Sequence, residues 1–228
     1  MSAIPFNPFG EFGEVQTYAH GDLPHWRQEG CTYFVTFRLA DSLPAAVVRE
    51  LAKDRRRWLE EHGVDPDAED WRTQFAKLPV GQQRAFEKQV GARLNDQLDR
   101  GYGSCVLRDP ELAAIVAAGL EHFHGERVWA GDYVIMPNHV HALLTPIAPH
   151  ALETILKSVK GYTARMVNRS AGGGGALWQR QSYDHIVRDA GQLSAFQRYI
   201  AENPAKAGVP EGRCLHRTAT YDLSQCGP

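Results

Sequence analysis

Cysteine is scarce in this chain of 228 residues. There are four, Cys31, Cys105, Cys214 and Cys226, and no two stand at Cys-x-x-Cys spacing. That excludes a zinc ribbon or a disulfide framework and fits the reduced thiols of a cytosolic protein. No apolar run reaches the roughly 18 residues that a membrane span requires. Met1 to Gly13 has no Lys or Arg and no continuous apolar stretch, so a signal peptide is not expected there. No internal repeat is present. A global excess of positive charge is also missing, the formal net charge being −2.

What is present is locally uneven. Residues 1–150 hold 15 Lys and Arg against 21 Asp and Glu, whereas residues 151–228 hold 10 against 6. A positive third of this kind suits a polyanionic partner. Apolar content of 43% is enough for a proper core, and charged content of 23% is ordinary.

The most informative stretch is Val134-Ile135-Met136-Pro137-Asn138-His139-Val140-His141-Ala142-Leu143-Leu144. Apolar β-formers flank it on both sides, so it reads as a buried strand. Side chains two apart on a strand share a face. His139 and His141 therefore project together, while Val140 faces away. Two imidazoles fixed side by side make half of a metal site. Spacing alone leaves a second option, two polar residues on a wet strand face. His122-Phe123-His124 has the same pattern but ends a predicted helix, where residues two apart diverge by about 200°. Those two read as helix C-terminal residues, favourable against the dipole.

Residues 1–29, with Pro5-Phe6 and Pro8-Phe9, read as an irregular arm. Cys31 to Leu39 alternates aromatic and β-branched residues and reads as a strand. A helix follows from Pro44 to about His62 and carries the basic cluster Arg55-Arg56-Arg57. Residues 64–100 read as an insertion, polar up to Pro79 and helical from Gln82 to Arg100. Ser104 to Leu107 reads as extended. Asp109-Pro110-Glu111 opens a helix to His124, and Arg127 to Met136 is a strand. A helix runs from after Pro149 to about Arg169, and four glycines, Gly172 to Gly175, make a turn. Trp178 to Val187 reads as extended. The last helix runs from Gly191 to Asn203 and is stopped by Pro204, and residues 211–228 form a tail. This order predicts one α+β domain over residues 30–210, a ferredoxin-like antiparallel sheet with helices on one face.

The last helix offers a second half to the site. Tyr199 and Asn203 are four apart and share a helical face. Asn203 offers an amide oxygen as a third metal ligand, and Tyr199 offers a phenol as nucleophile. Read singly, Tyr199 is a half-buried core aromatic and Asn203 a helix end. Tyr183 and Tyr162 are rival nucleophiles.

The segment Met136-Pro137-Asn138-His139-Val140-His141 resembles the His-hydrophobic-His (HUH) signature of single-tyrosine transposases. Leu177 to Asp189 and Arg198-Tyr199-Ile200-Ala201-Glu202-Asn203-Pro204-Ala205-Lys206-Ala207-Gly208 resemble later segments of one branch, the REP-associated tyrosine transposases. The three motifs stand in the family's order and cover most of residues 127–209. The resemblance implies an HUH fold with the tyrosine helix packed beside the histidine strand. It implies His139, His141 and Asn203 as metal ligands, Tyr199 as nucleophile, and Mg2+ or Mn2+ as the ion. It also implies a DNA hairpin as partner, with cleavage of the flanking single strand through a 5′-phosphotyrosine. A bacterial, cytoplasmic, nucleoid-associated protein follows, acting as a monomer as this branch does. Residue chemistry alone does not select Mg2+, because imidazole suits Zn2+ or Mn2+ better.

The positive third supplies candidates for DNA contact: Lys157, Lys160, Arg165 and Arg169 on one helix, then Arg180, Arg188 and Arg198. Trp178 is a candidate for base stacking, with burial as the competing expectation. Two further readings are a hairpin-binding regulator without turnover and a Zn2+ hydrolase whose third ligand is an Asp or Glu.

Overall fold

The computed structural model describes residues 3–10, 16–18 and 25–224. Cys226 and the remaining parts of the expected arm and tail lie outside the described residues. The strands are β1 (Ile4–Pro5), β2 (Gln16–Tyr18), β3 (His25–Arg27), β4 (Tyr33–Arg38), β5 (Val128–Ile135), β6 (His139–Pro146), β7 (Tyr183–Ile186), β8 (Leu215–Arg217) and β9 (Tyr221–Asp222). The helices are α1 (Ala45–Glu61), α2 (Trp71–Ala76), α3 (Val80–Leu98), α4 (Pro110–Glu121), α5 (Leu152–Ser170) and α6 (Ala190–Lys206). Among them no helix is long and apolar enough to cross a membrane.

Five strands make one sheet in the order β7-β4-β6-β5-β8, every pair antiparallel. The run β4-α4-β5-β6-α5-β7 is the ferredoxin-like βαββαβ order, with β8 added beyond β5. Alternation splits the strand residues between two faces. Tyr33, Val35, Phe37, Val140, Ala142 and Leu144 pack under α4 and α5, against Val116, Leu120, Ile155 and Val159. Phe34, Val134 and Leu143 face the other way and pack under α6, against Leu193 and Ile200. Thus α4 and α5 cover one face and the tyrosine helix covers part of the other. The starts of α4 and α6 are capped by side chains: Asp109 accepts from the Glu111 N–H at 2.8 Å, and Asp189 accepts from the Gln192 N–H at 2.7 Å.

Several local expectations change. The insertion has its own core of Trp58, Leu59, Val64, Trp71, Phe75 and Phe86. Trp58 and Leu59 belong to α1, so the helical unit spans α1 to α3 and starts well before residue 64. Val106–Arg108 is a 3-10 turn rather than an extended piece. Only Tyr183–Ile186 pairs as a strand in the stretch from Trp178, apart from a single bridge between Leu39 and Trp178. Helix α6 continues through Pro204 to Lys206. Proline lacks the N–H that would reach back one turn, but Ala207 and Val209 N–H still bond Asn203 and Pro204 carbonyls. The described ends of the arm and tail meet, because β1 pairs in parallel with β9.

Helix α3 lies against the sheet edge at β7. Tyr183 Oη donates to the Glu87 carbonyl at 3.3 Å, and the Glu87 carboxylate meets His185 at 3.2 Å and Arg188 at 3.1 Å. The approach is close because Gly91 has no side chain: a Cβ there would stand 2.7 Å from Tyr183 Oη and 2.9 Å from Cζ. Gly91→Val is expected to lower unfolding free energy by about 1–3 kcal/mol through overpacking. Gly81→Val on the same helix, where a Cβ meets nothing within 4 Å, should lose none. Urea unfolding of the two variants checks the contrast.

Candidate metal centre and tyrosine

Register explains how the histidines are held. Strand β6 pairs with β4 so that His141 stands opposite Thr36, and His139 opposite Arg38. Thr36 Oγ1 lies 2.7 Å from His141 Nδ1. Asn138 Oδ1 lies 2.7 Å from His139 Nδ1. The orientation of the Asn138 amide is fixed, because its Nδ2 donates to the carbonyls of Leu98 and Tyr102. Its oxygen can only accept, so His139 carries its proton on Nδ1 and has a free lone pair on Nε2. The two Nε2 atoms converge to 3.0 Å. Ligands sharing an ion at about 2.1 Å are spaced in this way, and hydrogen bonds on the far ring nitrogen are what orient metal-bound histidines.

Helix α6 lays a row of side chains over the pair. The Phe34 ring stacks on His141 at 5.4 Å and on Phe196 at 4.3 Å, and Tyr199 meets His141 edge-on at 5.1 Å. Tyr199 Oη lies 3.4 Å from His141 Nε2. One turn on, Asn203 Nδ2 donates to Tyr199 Oη and to Asp99 Oδ1, each at 3.2 Å. Asn203 is fully buried, yet its Oδ1 has no hydrogen-bond partner. An orphaned buried acceptor costs about 1–3 kcal/mol, and a cation at the His pair would satisfy it. Asp99 Oδ1 stands 3.8 Å from His139 Nε2. Asp99, His139 and His141 present donor atoms within 4.8 Å of one another. The donor chemistry therefore fits a divalent cation: two imidazole nitrogens, a partnerless amide oxygen and a carboxylate.

Electrostatics agree with that fit. Burial pushes His139 down to about 3, only partly offset by the nearby Asn203 amide. Burial, then the neighbouring His139, hold His141 well below the usual value. Both rings are neutral at pH 7, as ligands must be. Burial raises the Tyr199 phenol above its ordinary value, and the charges of Asp99 and Asp96 raise it further. Burial also raises Asp99. The Lys206 ammonium lies 5.3 Å from the centre of the Tyr199 ring.

The expected site residues thus divide. His139, His141, Asn203 and Tyr199 come together. The rival Tyr183 hydrogen-bonds α3 instead, and Tyr162 is exposed on α5, across the sheet. Trp178 is buried, edge-on to Phe37, and its indole N–H donates to Thr163, so it presents no open face for a base. Lys160 Nζ donates to the carbonyls of Gln179 and Arg180 and to Ser182 Oγ, tying α5 to the chain entering β7. Arg188 is paired with Glu87. Lys157, Arg165, Arg169, Arg180 and Arg198 are exposed, the first three on the helix behind the sheet from the histidines. Sequence reading missed Thr36, Asp99 and Lys206 as site neighbours. Thr36 is found only from strand register. Lys206 lies seven residues after Tyr199, two helical turns on, which is the one spacing signal available.

Residues 118–203 match the family model described as transposase, IS200-like. The resemblance to an IS200-like transposase is borne out for that segment, which is 86 of the 228 residues. The IS200-like segment begins within α4 and ends at Asn203, so it contains both histidines, Tyr199 and Asn203 and leaves out the inserted helices. Comparison with curated proteins gives no match. Among solved structures, a REP-associated tyrosine transposase bound to a REP hairpin is 13% identical, with 86% of this chain and 76% of that chain covered and a TM-score of 0.43. A protein of Deinococcus radiodurans R1 assigned as a transposase is 14% identical, with 82% and 98% covered and a TM-score of 0.27. Both likenesses are distant and add no weight of their own.

The depressed histidines make a stability prediction. Below pH 6.5 the unfolded chain takes up protons that folded His139 refuses until about pH 3. Their contribution is therefore full above 6.5 and is lost as pH falls toward 3, by up to about 1.4 kcal/mol per pH unit for each ring. Melting temperature in EDTA should fall across that window less steeply for His139→Gln than for the unaltered protein. Equal slopes would contradict the burial argument.

Proposed function

We propose that this chain is a divalent-metal-dependent endonuclease and strand transferase of the DNA-transposition type. It binds a REP-like DNA hairpin and cleaves the flanking single strand through a 5′-phosphotyrosine. The observation that carries the reading is the single buried cluster in which Tyr199 Oη stands 3.4 Å from His141 Nε2 and 3.2 Å from Asn203 Nδ2. A nucleophile and a set of metal donors meet there on one strand and one helix. The hairpin substrate is proposed from the motif resemblance.

His139, His141 and Asn203 would hold Mg2+ or Mn2+, which when bound polarises a phosphate and offsets transition-state charge. Tyr199 attacks phosphorus, the bond from phosphorus to the 3′-oxygen breaks, and the phenol proton passes to that oxygen, which departs as a hydroxyl. A later 3′-hydroxyl reverses the step and releases the tyrosine, so strands are rejoined without an outside energy source. Asn203 Nδ2 donates to the phenol oxygen and stabilises it as negative charge grows. Phe34 stacks on the His141 ring and is itself backed by Phe196, which helps to fix that ring. Lys206, whose ammonium lies 5.3 Å from the centre of the Tyr199 ring, would contact the incoming phosphate. Arg198 is proposed to hold the single strand, and Lys157, Arg165, Arg169 and Arg180 the hairpin stem, with the chain acting as a monomer. Lys160, Arg188 and Trp178 support the site from within.

One observation favours a second reading, since Asp99 is the carboxylate that a Zn2+ hydrolase would need beside the His pair. Products separate the two. Mixing the protein with Mn2+ and labelled hairpin DNA is expected to give a covalent protein–DNA band on a denaturing gel, absent for Tyr199→Phe. Cleavage without that band points to water attack and sinks the tyrosine mechanism. Hairpin binding without cleavage makes the chain a regulator.

Lys206→Gln is expected to slow adduct formation about tenfold, the worth of one charge-assisted phosphate contact. Lys157→Gln should leave the chemical step unchanged and flatten the salt dependence of hairpin binding. Single-turnover rates at saturating protein check both.

A further inference from the structure

We infer that Asp99 is a fourth ligand of the cation at His139, His141 and Asn203, so that the inserted helical unit completes the metal centre. The inference rests on reading the histidine pair as a metal site. It extends that site to a residue outside the IS200-like segment, delivered by a helix with its own separate core.

Asp99 caps the end of α3, where its N–H bonds the Asn95 carbonyl at 2.9 Å. The adjoining backbone is fastened to the histidine strand, because Asn138 Nδ2 donates to Leu98 on one side of Asp99 and to Tyr102 on the other. The same Asn138 orients His139 through its oxygen. One amide thus sets both the ring and the helix end that carries the carboxylate. At the far end of the contact, Gly91 and Glu87 seat α3 on β7. Asp99 is therefore held toward His139 by built structure.

The Asp99 side chain is only 17% exposed, and among the described residues no Lys or Arg forms an ion pair with it. It accepts one hydrogen bond, from Asn203 Nδ2. Beside it stands the partnerless Asn203 Oδ1. A mostly buried carboxylate and an orphaned amide oxygen flanking two neutral imidazoles form a site that a cation satisfies all at once. Asp96, one turn earlier on α3, adds a second negative charge near Tyr199. Lys206 offsets part of the charge of Asp99, and a divalent cation between the acids and a phosphodiester would offset the rest.

The consequence is a change in what the site prefers. Two imidazoles and an amide form a neutral set that leaves the ion's charge to the substrate. Adding Asp99 makes the set anionic and richer in oxygen, which suits Mn2+ and Mg2+ better than histidines alone.

The test is direct binding of Mn2+ to the full chain without DNA, read by electron paramagnetic resonance. Asp99→Asn is expected to weaken Mn2+ at least tenfold and Asp96→Asn less than twofold, with His139→Ala abolishing binding. Asp99→Glu, which keeps a carboxylate on the same helix end, should bind clearly better than Asp99→Asn, and melting curves confirm that each variant is folded. Asp99→Asn within twofold of the unaltered protein, with His139→Ala abolishing binding, overturns the inference and leaves the histidine reading intact. An equal loss in Asp96→Asn also overturns it, showing diffuse charge rather than ligation. No Mn2+ binding by the unaltered protein removes both readings.

Discussion

The site depends on one constraint, the fixing of two imidazole rings with their Nε2 atoms turned toward each other. Strand pleating brings His139 and His141 to one face, but pleating alone leaves the rings free to rotate. Thr36 and Asn138 remove that freedom from the Nδ1 side. Burial then keeps both rings neutral. Two imidazole nitrogens 3.0 Å apart in a fully buried site call for a proton or a cation between them. The packing of Phe34, Phe196 and Tyr199 around them is arranged about that requirement.

The sheet separates two tasks. One face carries the ordinary apolar core under α4 and α5, which supplies rigidity. The other carries the polar cluster under α6, where Tyr199 and Asn203 approach from a single helix face. Continuing α6 through Pro204 to Lys206 gives the cluster a cation that a helix ending at Asn203 would have left in a loop. The acid side comes from elsewhere, at the end of α3. The polar ring around the tyrosine is thus assembled from the histidine strand, the tyrosine helix and the inserted helical unit, each with its own hydrophobic support.

Much of this was legible in the sequence. The His-x-His alternation, the flanking apolar runs and the four-residue spacing of Tyr199 and Asn203 follow from the periods of strand and helix. The ferredoxin-like order followed from the element sequence. Residues joined only by long-range register were not legible. Thr36 is an ordinary strand threonine until β4 pairs with β6. Asp99 is one of many acids in a polar insertion until α3 packs on β7. For the basic residues, charge shows in a sequence while engagement does not. Lys160 and Arg188 are held by internal partners, and Lys157, Arg165 and Arg169 sit behind the sheet. Trp178 went to the core, the common fate of a tryptophan flanked by strand residues.

The account centres on a cation held where β6, α6 and the end of α3 converge. Anomalous diffraction at the manganese edge, on crystals of the full chain soaked in Mn2+, tests it most directly. The account predicts one strong peak within bonding distance of His139 Nε2, His141 Nε2 and Asn203 Oδ1, on the side facing Tyr199. A peak elsewhere, or none at these atoms while the protein remains folded, would contradict it.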